Sequence, residues 1–222
     1  MLVLATTERE YPWGVLRSTN ASKVKVILEE KELDYQVDRL RPGDLWKKPA
    51  EFLAKHPLGK VPYLETDRDG IIYDSTVINE YIEDRYPHNP LKPDDAVSLA
   101  RMRMMENIGD EAFLVGDLPK VWMPYWSKPE DRNEESMQAG RDGLRARGLP
   151  IIERELGDQD YLCGHFTLAD APFMAVAMVL EVDGMDLSDF PKTAAYLDRL
   201  RRRPSYRAIS ARTSLDDSAG RS

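Results

Sequence analysis

Apolar positions fall into two regimes along this chain. Through the first third, short strand-like runs alternate with helical spacing; beyond it, helical spacing alone continues. Leu2–Ala5 is a compact apolar run and Tyr35–Leu40 alternates, so both predict strands. Between them Val24, Ile27 and Leu28 recur at helical intervals and predict a helix over Ala21–Glu32. Val61–Glu65 and Ile71–Tyr73 flank Thr66–Gly70, a charged turn ending in glycine, which predicts a hairpin. Ile78, Tyr81 and Ile82 share a face and predict a helix over Ser75–Tyr86.

Pro87–Pro93 is proline-rich and reads as a linker. After it come helical patterns over Asp94–Val115, Glu134–Leu156, Leu168–Val182 and Lys192–Arg202, with no convincing strand. Thr167-Leu168-Ala169-Asp170 has the form of a capping box with Asp for the usual Glu, and the apolar run Ala171–Leu180 that follows predicts a central buried helix. The expected organisation is an α/β domain over residues 1–86, a linker over 87–93, an all-helical domain over 94–212 and a disordered polar tail over 213–222.

Two local features carry chemistry. Val61-Pro62 stands at the start of a strand, because proline cannot donate to an interior ladder. Its X–Pro bond is a candidate for the cis form, which turns the main chain of Val61 outward to meet an extended peptide. Asp74-Ser75 opens the following helix with acceptor side chains, and free N–H groups at a helix N-terminus bind a carboxylate. Together they describe a site for a small peptide with a carboxylate at one end. The structural alternatives are a plain loop-to-strand junction and a plain helix cap.

Composition narrows the field. The 222 residues are 42% hydrophobic and 32% charged, ordinary for a soluble globular protein. A net charge of -8 argues against a nucleic-acid binder, which needs a basic face. Arg201-Arg202-Arg203 suits a helix C-terminus, where cations complement the dipole. The single cysteine, Cys163, excludes an internal disulfide and CxxC redox chemistry, which fits a reducing compartment. No apolar run approaches the roughly 20 residues of a membrane span, and Met1–Ala5 is too short and lacks the basic flank of a signal peptide. A cytoplasmic location and no membrane partner are expected. His56, His88 and His165 are not spaced as metal ligands, so no metal is expected.

Four stretches in order, Ser18-Thr19-Asn20-Ala21-Ser22-Lys23-Val24, Pro57-Leu58-Gly59-Lys60-Val61-Pro62, Asp74-Ser75 and Thr167-Leu168-Ala169-Asp170, carry a family resemblance over about residues 17 to 210. The chain resembles a cytosolic glutathione S-transferase of serine type, with a zeta- and omega-like first motif. That resemblance implies a thioredoxin-like N-terminal domain, a mixed four-stranded sheet with helices, followed by an all-helical C-terminal domain. It implies a transferase that activates the glutathione thiol for attack on an apolar or aromatic electrophile, by conjugation or dehalogenation, in a detoxifying role. Glutathione-dependent isomerisation and ether cleavage are further activities of such folds, and non-catalytic interaction or ligand-carrier proteins share them too. A homodimer is the family's usual assembly.

By the same resemblance, Ser18 is the catalytic hydroxyl and Lys23, five positions on, its basic companion. Val61, with Pro62, holds the cysteinyl unit through its main chain, while Asp74 takes the γ-glutamyl ammonium and Ser75 the γ-glutamyl carboxylate. Lys48 faces the glycine carboxylate, with Lys60 a second candidate. Thr6–Arg17 departs from the family as an insertion before the catalytic position, so Thr7, Tyr11, Thr19 and Asn20 remain rival groups for the thiol. Tyr11 and Trp13, with Trp122, Tyr125 and Trp126, are candidate walls of an electrophile pocket, although aromatics spaced like the last three are more often core or interface.

Overall fold

The structure, a computed structural model, describes residues 1–11 and 14–212. The predicted tail 213–222, with Trp13 and Pro12, lies outside the described residues. The chain forms two compact units, one of residues 1–90 joined by the segment from Pro204, the other of Leu91–Arg203.

In the first unit a sheet of order β4-β1-β5-β6 is built from β1 (Leu2–Thr6), β4 (Tyr35–Arg39), β5 (Tyr63–Thr66) and β6 (Gly70–Tyr73). β1 runs parallel to β4 and antiparallel to β5, which pairs antiparallel with β6. Leu4 and Ala5 on the central strand are fully buried, as the apolar run requires. Helix α1 (Thr19–Glu30) provides the crossover that a parallel pair needs, and α4 (Ser75–Arg85) packs beside it. The two short helices α2 (Pro42–Lys47) and α3 (Ala50–Lys55) fill the segment that sequence spacing leaves irregular.

Two features differ from expectation. Within Thr6–Arg17, β2 (Glu8–Tyr11) pairs antiparallel with β3 (Gly14–Arg17). The pair is fastened by charge: the buried Glu8 carboxylate accepts from Lys25 at 2.7 Å and Arg39 at 3.0 Å, with Arg17 at 3.6 Å. Burial alone would push the Glu8 carboxyl up, but Lys25, Arg17 and Arg39 around it hold it below the usual range. The second difference is that residues 204–212, expected within the helical domain, belong to the first unit. Ala211 O accepts from Val15 N at 2.7 Å, and Ser210 O from the Arg17 guanidinium at 2.6 Å. Gly14 permits this approach, since a Cβ there would stand 2.1 Å from Ala211 O.

The second unit is helical: α5 (Ala96–Ile108), α6 (Leu118–Trp122), α7 (Glu134–Gly143), α8 (Leu149–Leu156), α9 (Ala171–Asp183) and α10 (Pro191–Arg201). A wider turn over Gly109–Asp117 extends α5, and another over Leu144–Gly148 joins α7 to α8. Ala171–Leu180 of α9 is buried throughout, packed by α6 and α10. Its start is the Thr167–Asp170 capping box, with both reciprocal bonds present. The Asp170 carboxylate is fully buried and accepts from Thr167 N at 2.8 Å, the Thr167 hydroxyl at 3.3 Å, Tyr196 OH at 2.7 Å and Leu162 N at 3.5 Å.

Candidate functional site

Ser18 is the N-cap of α1, which begins two residues earlier than the apolar spacing predicts. Its Oγ accepts from Ala21 N at 3.3 Å, and its own N–H donates to Thr7 O at 3.0 Å. A hydroxyl that accepts from the helix keeps its proton to donate. Half-buried and at the positive end of a twelve-residue helix, it faces the field that stabilises an anion. Of its rivals, Thr7 is buried and lends its carbonyl to Ser18, while Thr19 and Asn20 form the first turn of α1. Tyr11 sits at the end of β2 with the Arg9 guanidinium over its ring at 4.9 Å.

The basic companion turns elsewhere. Lys23 is fully buried and its Nζ donates to Thr76 Oγ1 at 2.6 Å. Because Thr76 lies in the first turn of α4, this bond ties the N-terminal turns of α1 and α4 together. The Ser18 cap and the Asp74-Ser75 start therefore belong to one cradle. The family resemblance pairs Lys23 with Ser18 and does not anticipate this clasp.

Asp74 caps α4, its Oδ1 accepting from Thr76 N at 3.0 Å and Val77 N at 3.2 Å. Both bonds use one oxygen of an exposed carboxylate, so Oδ2 keeps its capacity for a cation. Its φ of 76° with ψ of 127° is a conformation side chains rarely adopt, costing about 1–3 kcal/mol. Such strain persists where neighbours over-determine it, and here the two cap bonds do so. Ser75 is the first residue of α4 and is buried.

The Val61–Pro62 bond is cis. β5 begins only at Tyr63, so the Val61 main chain lies outside the ladder. Pro62 itself is buried, Val61 half-buried and Lys60 exposed. Lys48 is held within the fold: its Nζ donates to Leu58 O at 2.9 Å, with Lys48 at φ 45° ending α2. An ammonium has three protons, so two remain for a ligand carboxylate.

His56, given no role by spacing, sits beside this loop. Its Nδ1 accepts from Leu58 N at 3.2 Å and its ring lies 4.9 Å from that of Tyr73. Burial, with Lys60 and Lys48 nearby, lowers its pKa, against the opposing pull of Asp74. The only sequence signal was a polar ring placed just before Pro57.

The aromatic group of the helical unit is largely interior. Trp122 and Tyr125 are buried with rings 5.8 Å apart, and Tyr125 OH donates to Asp183 at 3.1 Å under the Arg132 guanidinium at 4.6 Å. They serve the core rather than an open pocket wall; Trp126 is half-buried. Among the described residues no group of three His, Cys, Asp or Glu is placed to hold a metal, and no helix is long and apolar enough to cross a membrane.

Comparison with known proteins agrees with this geometry. Residues 17–85 match the glutathione S-transferase N-terminal domain and residues 117–204 the glutathione S-transferase C-terminal domain. Maleylacetoacetate isomerase of Pseudomonas aeruginosa is 30% identical over 199 residues, 86% of this chain and 91% of the relative. A stringent starvation protein A homolog of Haemophilus influenzae is 27% identical over 186 residues, 83% of this chain and 82% of that protein. Among solved structures, a glutathione transferase homolog from Sulfitobacter with bound glutathione superposes with a TM-score of 0.74 at 25% identity, covering 94% of this chain and 96% of the other. The matched domains at both ends and the 30% identity over most of both chains lead to one conclusion: this chain belongs to the glutathione S-transferase family.

Proposed function

We propose that this protein is a serine-type glutathione transferase that activates the glutathione thiol for attack on an apolar or aromatic electrophile. The observation that carries the reading is the Lys23–Thr76 bond, which unites a hydroxyl donor at one helix N-terminus with a carboxylate site at another. Glutathione then lies with its γ-glutamyl carboxylate at Ser75, its ammonium at Asp74 Oδ2, its cysteinyl unit along Val61 and its glycine carboxylate toward Lys48. Lys60, exposed one residue before Val61, is the second cation for that carboxylate.

A thiol near the reference pKa of about 8.5 is mostly protonated at neutral pH. The Ser18 O–H donating to sulfur, with the α1 dipole behind it, favours the thiolate and releases the thiol proton to solvent. The thiolate attacks the electrophilic carbon; a halide leaves in dehalogenation, or a proton is taken up in conjugation. Ser18 donates and is not consumed.

Similarity to maleylacetoacetate isomerase supports a second outcome of the same site. In such an outcome the thiolate would add to a conjugated double bond, the resulting single bond would rotate, and elimination would return glutathione. Glutathione consumption separates the two: stoichiometric for transfer, catalytic for isomerisation. A third reading is a non-catalytic interaction or ligand-carrier protein of the same fold.

Calorimetric titration with reduced glutathione, followed by turnover of a halogenated nitrobenzene, tests the proposal. One-to-one saturable binding, with Ser18→Ala lowering turnover by more than about tenfold while sparing binding, is the expected result. Absence of binding eliminates the enzyme reading in favour of a protein partner, and undiminished Ser18→Ala turnover removes Ser18 from the mechanism.

We also assign the protein to the cytoplasm as a homodimer. Ile71, Tyr73 and Val77 are exposed on β6 and α4, an apolar patch suited to a two-fold contact. A monomer-sized particle in light scattering contradicts the dimer.

A further inference from the structure

The segment between α3 and Val61 is closed by side chains rather than by a ladder. Leu58 is held at both ends of its peptide unit: its N–H by His56 Nδ1 at 3.2 Å, its carbonyl by Lys48 Nζ at 2.9 Å. Gly59 N donates back to His56 O at 2.7 Å. At φ 58° Gly59 presses on Lys48, where an added Cβ would meet Cδ at 2.8 Å. From its other side the His56 ring meets Tyr73, the residue directly before Asp74.

His56 thus touches both halves of the peptide site: the loop that Lys48 bonds and that leads to Val61, and the strand end that delivers Asp74 and Ser75. We propose that His56 is a positioning residue for glutathione, its ring nitrogen fixing Leu58 so that Lys48 and the Val61 main chain are set before the peptide arrives. The inference rests on the glutathione reading above and extends it to a residue that touches no substrate. An acceptor at Nδ1 places the proton of the neutral ring on Nε2. Burial, Lys60 and Lys48 all favour that neutral form, with Asp74 alone among the facing charges opposing it. A loop set in advance binds more tightly because less freedom is lost on binding.

The required property is an acceptor at the Nδ1 position, which an asparagine Oδ1 also supplies and a leucine does not. Wild type, His56→Asn and His56→Leu are titrated with reduced glutathione at neutral pH, with thermal unfolding of each measured alongside. His56→Asn is expected to bind within about threefold of wild type and His56→Leu about tenfold more weakly. With a halogenated nitrobenzene the Leu variant shows its loss in KM for glutathione, with kcat nearly unchanged. Equal binding by all three, or equal weakening of both variants, overturns the assignment. No binding by wild type removes the glutathione reading itself, a result distinct from either. Should His56→Leu not fold, nuclear magnetic resonance of the wild type decides. Glutathione must shift the Leu58 amide and His56 ring signals, and signals that stay in place overturn the inference.

Discussion

Asp170 offers a quantitative test of the helical unit, because burial and hydrogen bonding act on it in opposite directions. It is wholly buried, and burial pushes its carboxyl up to about 6 despite the bonds from Thr167, Tyr196 and Leu162 that favour the charged form. Against an unfolded value of 3.8, the folded state binds the proton more tightly. The contribution of this group is therefore fully present below the unfolded pKa and is lost as pH rises through about 6. Linkage between about pH 4.5 and pH 7 gives a loss of about 2 kcal/mol.

Asp170→Asn keeps the shape and cannot titrate. Its single oxygen faces Thr167 N, so its amide meets Leu162 N–H, leaving one poorly matched contact worth about 1–2 kcal/mol. Urea unfolding should therefore show the variant weaker than wild type by about that amount near pH 4.5, with the gap closing toward zero by pH 7. Asp170→Ala, which orphans Thr167 N–H and Tyr196 O–H, costs about 3–5 kcal/mol near pH 4.5, and its deficit narrows by the same roughly 2 kcal/mol toward pH 7. A gap between wild type and Asp170→Asn that stays flat or widens with pH refutes the reasoning. In that case the four donors outweigh burial and the carboxylate is welcome in its site.

Ser75→Ala should weaken glutathione by about tenfold in the calorimeter, at the γ-glutamyl end, while Ser18→Ala leaves affinity intact; equal affinities in both variants contradict the division of roles. Glu8→Gln leaves Lys25 and Arg17 buried without their counter-charge, and a loss of about 3–5 kcal/mol in urea unfolding is expected. Gly14→Ala forces Ala211 away from β3, and loss of the Val15–Ala211 bond should appear as fast hydrogen exchange at the Val15 amide.

The elements that sequence spacing places well are those whose signal is local. The Val61-Pro62 junction, the Asp74 cap and the Thr167–Asp170 box each declare themselves within four residues, and all three are realised. What spacing misses depends on partners far along the chain. Lys23, Lys25 and Lys31 are all buried because Thr76, Glu8 and Glu83 meet them, partners that no local spacing reveals. The β2–β3 pair carries no alternation strong enough to predict it, since its anchor is a buried ion cluster closed by Ser210 and Ala211. Trp122 and Tyr125 look alike as pocket or core on sequence, and only Asp183 and Arg132 decide between them.

The candidate ligand groups of the first unit share a physical logic. Ser18 accepts from Ala21 N yet retains its proton; Asp74 binds two amides through Oδ1 yet retains Oδ2; Lys48 gives one proton to Leu58 O yet retains two. Each is fixed by internal bonds and presents the complementary capacity outward. Fixing them beforehand removes side-chain freedom that a peptide ligand would otherwise have to freeze, about 0.5–1.5 kcal/mol for each flexible side chain. It also couples folding to binding, because removing any one of these groups strips a cap or a loop bond along with a ligand contact. Stability and glutathione affinity should therefore fall together in Asp74 and Lys48 variants, where the internal bond and the outward one share a side chain. Ser18→Ala separates the two functions of its own hydroxyl, since the lost cap lowers stability and the lost proton lowers turnover, while the grip on the peptide lies elsewhere.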